Sequence, residues 1–223
     1  MDNQFWIDRW QNKETGWHRD NVHPLLFKLS EEFFEQPQQI FVPLCGKSLD
    51  MVWLAEKGHE IIGVELSPLA IEEFFEEQKL VPKKNQLGDF LSWQAGSYQI
   101  LEGDFFNLTA DFFAGNFKSC HCWYDRAAVI ALPESLRNKY VEVIQMILPG
   151  ARGLLISLSY DSASRQGPPF SLGDNEIKAL WSAARKISAI CTVASEIGKG
   201  KGSGQLPAFK PTNVTEHAFE ICL

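Results

Sequence analysis

Apolar and polar residues run along the chain in blocks whose period switches between two and about 3.6, and each switch marks an element. Ile40 to Leu44 is a short apolar run, read as a strand. Residues 48–57 then carry Leu49, Val52, Trp53 and Leu54 as a helical stripe, which Gly58 stops. The run "EIIGVE" from Glu60 to Glu65 predicts a second strand. Ser67-Pro68 opens a helix, because a serine oxygen caps free backbone N–H groups and proline fits the first turn. Ala70, Ile71, Phe74 and Phe75 give that helix a buried face, with Glu72, Glu73, Glu76 and Glu77 mostly toward water. Further strands are expected over 98–106, 118–128 and 153–160, the last uniformly apolar as a strand covered on both faces is. Helices fit about 134–148 and 174–185, and strands over 187–195 and 217–223 close the chain.

Strands alternating with helices predict an α/β fold, with a seven-stranded, mostly parallel sheet and helices on both faces. No helix separates the closing pair of strands, so the last strand is expected to be antiparallel. The chain reads as a single domain over 1–223. Its first 36 residues, with Trp6, Trp10 and Trp17, are read as a helical lid over a ligand crevice. Residues 80–97 are read as an irregular connection.

Composition narrows the choice of partner. The net charge of −7 argues against nucleic acid, whose phosphates need neutralising. No apolar stretch approaches the roughly 20 residues of a membrane span. The start "MDNQ" shows no export signal, and five scattered cysteines read as free thiols, so a cytoplasmic location is expected. Cys120-His121-Cys122 falls in a strand, with the cysteines on one face and His121 on the other; it is read as buried structure, with no metal.

The chemistry turns on "PLCGKS", 43–48. A phosphate-binding loop requires a glycine five residues before Gly46, and Phe41 stands there inside a strand. A triphosphate is excluded on geometry. In an open α/β sheet ligands lie beyond the carboxyl tips of the strands, and three tips here carry suitable groups. Gly46 permits close backbone approach after the first strand, Glu65 can accept from a ribose diol after the second, and Asp104 with Phe105 suits an adenine after the third. A nicotinamide cofactor would prefer G-x-G-x-x-G, which is missing. S-adenosylmethionine (SAM), an adenosine ligand without phosphate, fits the remaining pattern.

"FWIDRW" (5–10), "VPLCGKSLDMVWLAEKGHEIIGVELS" (42–67), "GDFFNL" (103–108), "YDRAAVIALP" (124–133) and "SYDSASRQGPPF" (159–170) together resemble the thiopurine S-methyltransferase family, in order over nearly the whole chain. The resemblance implies a Rossmann-like SAM-dependent methyltransferase fold. It implies SAM contacts at Trp10, the Leu44 backbone, Glu65, Asp104, Phe105 and Arg126, with Trp17 over the substrate pocket. Arg126 is assigned to favour the anionic form of a heteroaromatic thiol, and Asp125 to orient neighbouring groups. The implied acceptor is a small aromatic or heterocyclic thiol, with selenium and tellurium compounds in detoxification as further candidates, handled by a monomer. The final loop, "GKGKGSGQLPAFKPTNVTEH", departs from the family in lacking a substrate arginine and reads as flexible linkage. A same-fold enzyme for halide or sulfide, a SAM-binding module without turnover and a nicotinamide oxidoreductase remain as alternatives.

Overall fold

The computed structural model describes residues 3–161, 163, 167–195 and 213–223. Its centre is a sheet in the order β3-β4-β5-β2-β1-β6-β7-β9-β8. The strands are β1 (Gln39–Pro43), β2 (Glu60–Glu65), β3 (Lys83–Leu87), β4 (Phe90–Ala95), β5 (Tyr98–Glu102), β6 (Cys120–Arg126), β7 (Arg152–Ser159), β8 (Lys186–Ala194) and β9 (Thr215–Cys222). The pairs among β5, β2, β1, β6 and β7 are parallel, while β9 runs antiparallel to both β7 and β8. The helices are α1 (Asn3–Gln11), α2 (Pro24–Phe33), α3 (Leu49–Glu56), α4 (Pro68–Glu77), α5 (Ala110–Asn116), α6 (Glu134–Ile147) and α7 (Asp174–Leu180).

Alternate residues of each strand feed two separate cores. On one face Ile40, Val42, Ile61, Cys122 and Tyr124 meet Leu26 and Leu29 of α2, Met51 of α3 and Phe74 of α4. On the other, Phe41, Ile62, Val64, Trp123 and Leu155 meet Phe113 of α5, Tyr140 and Ile144 of α6 and Ile177 of α7. Helix starts follow their caps: Ser48 Oγ accepts from Asp50 N–H (3.2 Å) and Ser67 Oγ from Ala70 N–H (3.4 Å), with Pro68 in the first turn.

All seven expected strands are present, but the sheet has nine. Residues 80–97 are not an irregular connection: β3 and β4 form an antiparallel hairpin beside β5, turning at Gly88 (φ 58°). Its pattern was too polar to read, since β3 is "KKNQL" and almost wholly exposed at the sheet edge, where charged residues discourage further pairing. The apolar part is Trp93, whose indole donates to Glu102 (2.8 Å) beneath the Lys84 ammonium, 3.3 Å from the ring centroid. Two other boundaries also move. The third strand ends at Glu102 and gives way to a short turn of helix at Phe105–Asn107 and then α5, and the helix expected over 174–185 stops at Leu180. Most of the Gly- and Lys-rich final loop lies outside the described residues.

Gly153 on β7 stands directly opposite Trp123 on β6, whose indole lies over it and stacks on Trp181 (centroids 4.9 Å apart, 22° between planes). A Cβ at Gly153 would be built into that indole. Gly153→Ala is therefore expected to lower stability by about 1–3 kcal/mol through overpacking. Denaturant unfolding checks it, and an unchanged midpoint would mean that the stacked tryptophans shift at no cost.

Candidate active site

The carboxyl tips of β1, β2 and β6 open into one cavity of about 470 Å³, roofed by the N-terminal segment. Beyond β1 the backbone turns through two left-handed residues, Leu44 (φ 48°) and Gly46 (φ 53°). Gly46 permits a close approach: a Cβ there would stand 3.0 Å from the Trp10 ring. Leu44 is the rarer case, since a branched side chain in this region costs about 1–2 kcal/mol. Ala127, just past β6, is also left-handed (φ 65°). Two strained non-glycine residues thus flank one cavity, a distribution that favours function.

Glu65 ends β2 and is only 6% exposed. One carboxylate oxygen accepts from Gly46 N–H (2.8 Å) and the other from Ser67 N–H (2.8 Å). Burial pushes its carboxyl above the ordinary range, although the N–H groups of Ser67, Gly46 and Leu66 pull the other way. Each oxygen has spare lone pairs, and the residue lines the cavity, so a pair of hydroxyls can complete its hydrogen bonding. The carboxylate of Asp104 accepts from Phe106 N–H (2.9 Å) and from the Asn3 side chain of α1 (2.9 Å). Phe105 lines the same end of the cavity and stacks on Tyr140 (4.9 Å, 29°).

Arg126, at the tip of β6, lines the cavity and makes no hydrogen bond or ion pair among the described residues. Its neighbour Asp125 points away from the cavity and is fully buried. Asp125 accepts from Tyr140 O–H (2.7 Å) and from the N–H groups of Ala128 (3.1 Å) and Val129 (3.3 Å). Burial raises its carboxyl to about 6 against those three donors. Strand alternation turns Asp125 toward α6, where it orients its neighbours by holding the turn that follows Arg126.

Overhead, Trp17 meets Trp6 (5.5 Å, 79°) and Trp10 (5.8 Å, 81°) edge to face. His18 also borders the cavity; burial, then the Lys47 charge, lowers its affinity for a proton. The Lys47 ammonium is engaged by two carboxylates of α4, Glu73 (2.8 Å) and Glu77 (2.6 Å). A second polar group went unread in the sequence. His23 caps α2 and donates its backbone N–H to Asp50 (2.7 Å), which also accepts from Tyr124 O–H (2.9 Å), while the imidazole reaches Glu216 (3.3 Å). His23 before Pro24 was the one available signal, a helix start. Glu216 itself stood in what read as a flexible loop.

Gly46, Glu65, Asp104 and Phe105 suit an adenosine, and Arg126 is a cation without an ion pair that lines the same cavity. Solved methyltransferases share this fold. The N-methyltransferase NodS of Bradyrhizobium japonicum, solved with S-adenosylhomocysteine, superposes with a TM-score of 0.63 over 99% of both chains at 13% identity. A didemethyltoxoflavin N1-methyltransferase of Burkholderia thailandensis gives 0.59 over 99% of this chain and 86% of that one, at 12% identity. Those likenesses establish the fold. Sequence goes further: thiopurine S-methyltransferases of Pseudomonas fluorescens (strain Pf0-1) and Xanthomonas axonopodis pv. citri (strain 306) are 42% and 43% identical over 85% of this chain and 86% of theirs. The model of the family "Thiopurine S-methyltransferase (TPMT)" matches residues 1–207. That match over most of the chain and relatives at this identity, on a methyltransferase fold, place the chain in the thiopurine S-methyltransferase family, as a SAM-dependent methyltransferase.

Proposed function

We propose that the enzyme methylates the sulfur of small aromatic or heterocyclic thiols, with selenium and tellurium compounds as further acceptors in detoxification. The observation that carries this reading is the unpaired Arg126 guanidinium beneath an aromatic roof, one strand from the Gly46–Glu65 pocket. A cation without a protein partner favours an anionic sulfur, and tryptophan faces suit a flat ring. The net charge of −7 and the free cysteines support a cytoplasmic monomer that acts on small molecules rather than nucleic acid. Among the described residues no helix is long and apolar enough to cross a membrane.

Bound SAM supplies an electrophilic methyl group on a sulfonium sulfur. Glu65 accepts from the ribose hydroxyls, Asp104 from the adenine amino group, and Phe105 flanks the ring. Trp10 and the left-handed turn at Leu44 fix the depth of the pocket. Arg126 holds the acceptor sulfur in its thiolate form, and Asp125 positions Arg126 through the turn at Ala127. Trp17 and Trp6 cover the acceptor and exclude water, as a lid over the site. Alignment of two reactants in this way can lower a barrier by roughly 7–11 kcal/mol in favourable cases.

Glu65→Gln replaces one accepting oxygen with a donor, and is expected to weaken S-adenosylhomocysteine binding about 10- to 100-fold in calorimetric titration. Unchanged affinity would remove the ribose from Glu65. Arg126→Lys keeps the charge and loses the planar fork, so kcat/KM on thiophenol should fall about 10-fold or more. Wild-type turnover in that variant would end the role assigned to Arg126. A panel of thiols, sulfide and halide with radiolabelled SAM tests the acceptor class directly: turnover of sulfide or halide alone favours the same-fold alternative, and no product at all favours a binding module.

A further inference from the structure

The end of the cavity farthest from Asp104 holds polar groups that the methyl-transfer reading does not use. Because β9 runs antiparallel to β7, its first residues return to the edge where the other strands end, with Glu216 opposite Leu158 and Thr215 opposite Ser159. In the sheet order, the groups suited to the nucleoside sit on β5, β2 and β1, Arg126 sits on β6, and Glu216 lies beyond β7. An adenosine over the first three tips leaves the β6–β7–β9 end to the acceptor. Ile130, Leu132, Leu136 and Pro168 give that end apolar walls.

Glu216 lines this end and is 5% exposed. Its bonding is one-sided. Oε1 accepts from Ser195 O–H (2.9 Å) and lies 3.3 Å from His23 Nε2. His23 Nδ1 accepts from Leu25 N–H (3.2 Å), so Nε2 carries the hydrogen and donates to Glu216. Oε2 has no hydrogen-bond partner among the described residues. Burial alone would raise this carboxyl, but His23, Ser195 and the charge of Arg19 outweigh it and hold it below the ordinary range. The Arg19 contribution comes without an ion pair, and Arg19 Nε is itself buried with no partner. Ser157 of β7 also lines the cavity, and its buried hydroxyl has no partner among the described residues. A largely buried carboxylate with one oxygen that meets only the cavity gains most from a donor that reaches it there.

We infer that Glu216 sets acceptor specificity by accepting a hydrogen bond at Oε2 from a ring N–H of the acceptor, so that the enzyme prefers heteroaryl thiones to thiols lacking such a hydrogen. This rests on the sulfur-acceptor reading above. A heteroaryl thione with a nitrogen on each side of the carbon that bears sulfur, such as benzimidazole-2-thione, forms its thiolate by losing one ring N–H and keeps the other. Sulfur directed at Arg126 then turns an N–H toward the wall from which Glu216 projects. A thiophenol in the same place leaves Oε2 bare. A site built around a buried acceptor discriminates strongly against a ligand lacking the matching donor.

The test is acceptor binding to the full chain saturated with S-adenosylhomocysteine, read by calorimetry. The probes are benzimidazole-2-thione and its 1-methyl derivative, which also ionises to a thiolate but then keeps no ring N–H. Wild type should bind the first about 10- to 100-fold more tightly. Glu216→Gln keeps an oxygen for His23 and Ser195 and presents an amide N–H₂ in place of Oε2. That variant should lose the preference while still binding S-adenosylhomocysteine. Equal affinities in wild type, or a full preference in Glu216→Gln, would overturn the inference. Should the variant not fold, the wild-type comparison decides alone. Wild-type methylation of thiophenol separates the two readings: if it occurs and the N–H preference does not, only the role of Glu216 fails.

Discussion

One buried carboxylate holds the site together. Glu65 accepts from Gly46 N–H on the turn after β1 and from Ser67 N–H at the start of α4, so a single side chain spans the gap between two strand tips. Backbone N–H groups beyond the end of a parallel sheet have no ladder partner, and burial without one is expensive. Their satisfaction by Glu65 fixes the spacing of the β1 and β2 tips, where the cavity opens. The same arrangement explains the loop sequence. Gly46 donates to Glu65 in a left-handed conformation close under Trp10, where a side chain would be strained and tightly packed. Lys47 is turned outward to Glu73 and Glu77, and Ser48 is spent on capping α3. Every residue of "GKS" has structural employment, and none of it involves phosphate.

A second lock of the same kind operates at β6. Asp125 is buried on the α6 side and gathers the Tyr140 hydroxyl and two backbone N–H groups of the turn that follows. That turn contains the left-handed Ala127, a conformation that persists only where its surroundings over-determine it. Its consequence is that Arg126 is held at the tip by backbone and needs no ion pair of its own. An unpaired guanidinium facing a cavity is a cost in the free protein that an anionic ligand or acceptor removes.

Much of this was legible in the sequence because burial writes periodicity. "EIIGVE" and "GLLISLSY" could be strands because β2 and β7 are covered on both faces, and Glu65 and Asp104 could be placed because strand ends are easy to find. Where one face is wet the record fades. "KKNQL" pairs through its backbone, and its side chains meet solvent, so β3 left no alternation to find. The left-handed positions at Leu44 and Ala127 were invisible for a different reason: the usual marker is glycine, and neither residue is one. The role of Asp125 followed only once strand alternation was fixed, because adjacent Asp and Arg necessarily point to opposite faces.

Glu216 was hidden by topology. A parallel strand announces its functional end at its carboxyl terminus, where the eye looks for carboxylates. The antiparallel β9 brings its amino terminus to that edge instead, directly after a long loop of uninformative composition. Its partner His23 belongs to the N-terminal segment, and the same histidine joins Asp50 of α3 and, through Asp50, Tyr124 of β6. These residues are far apart in sequence and meet only because the N-terminal segment lies across the sheet. Buried hydrogen bonds of this kind are strengthened by the low local dielectric and disfavour alternative packings that would strand a charge. The N-terminal segment is thereby held in one position, with Trp10 on Gly46 and Trp17 over the cavity. The roof above the site and the carboxylate in its far wall are parts of one connected structure, so a change that loosens either is felt at the other.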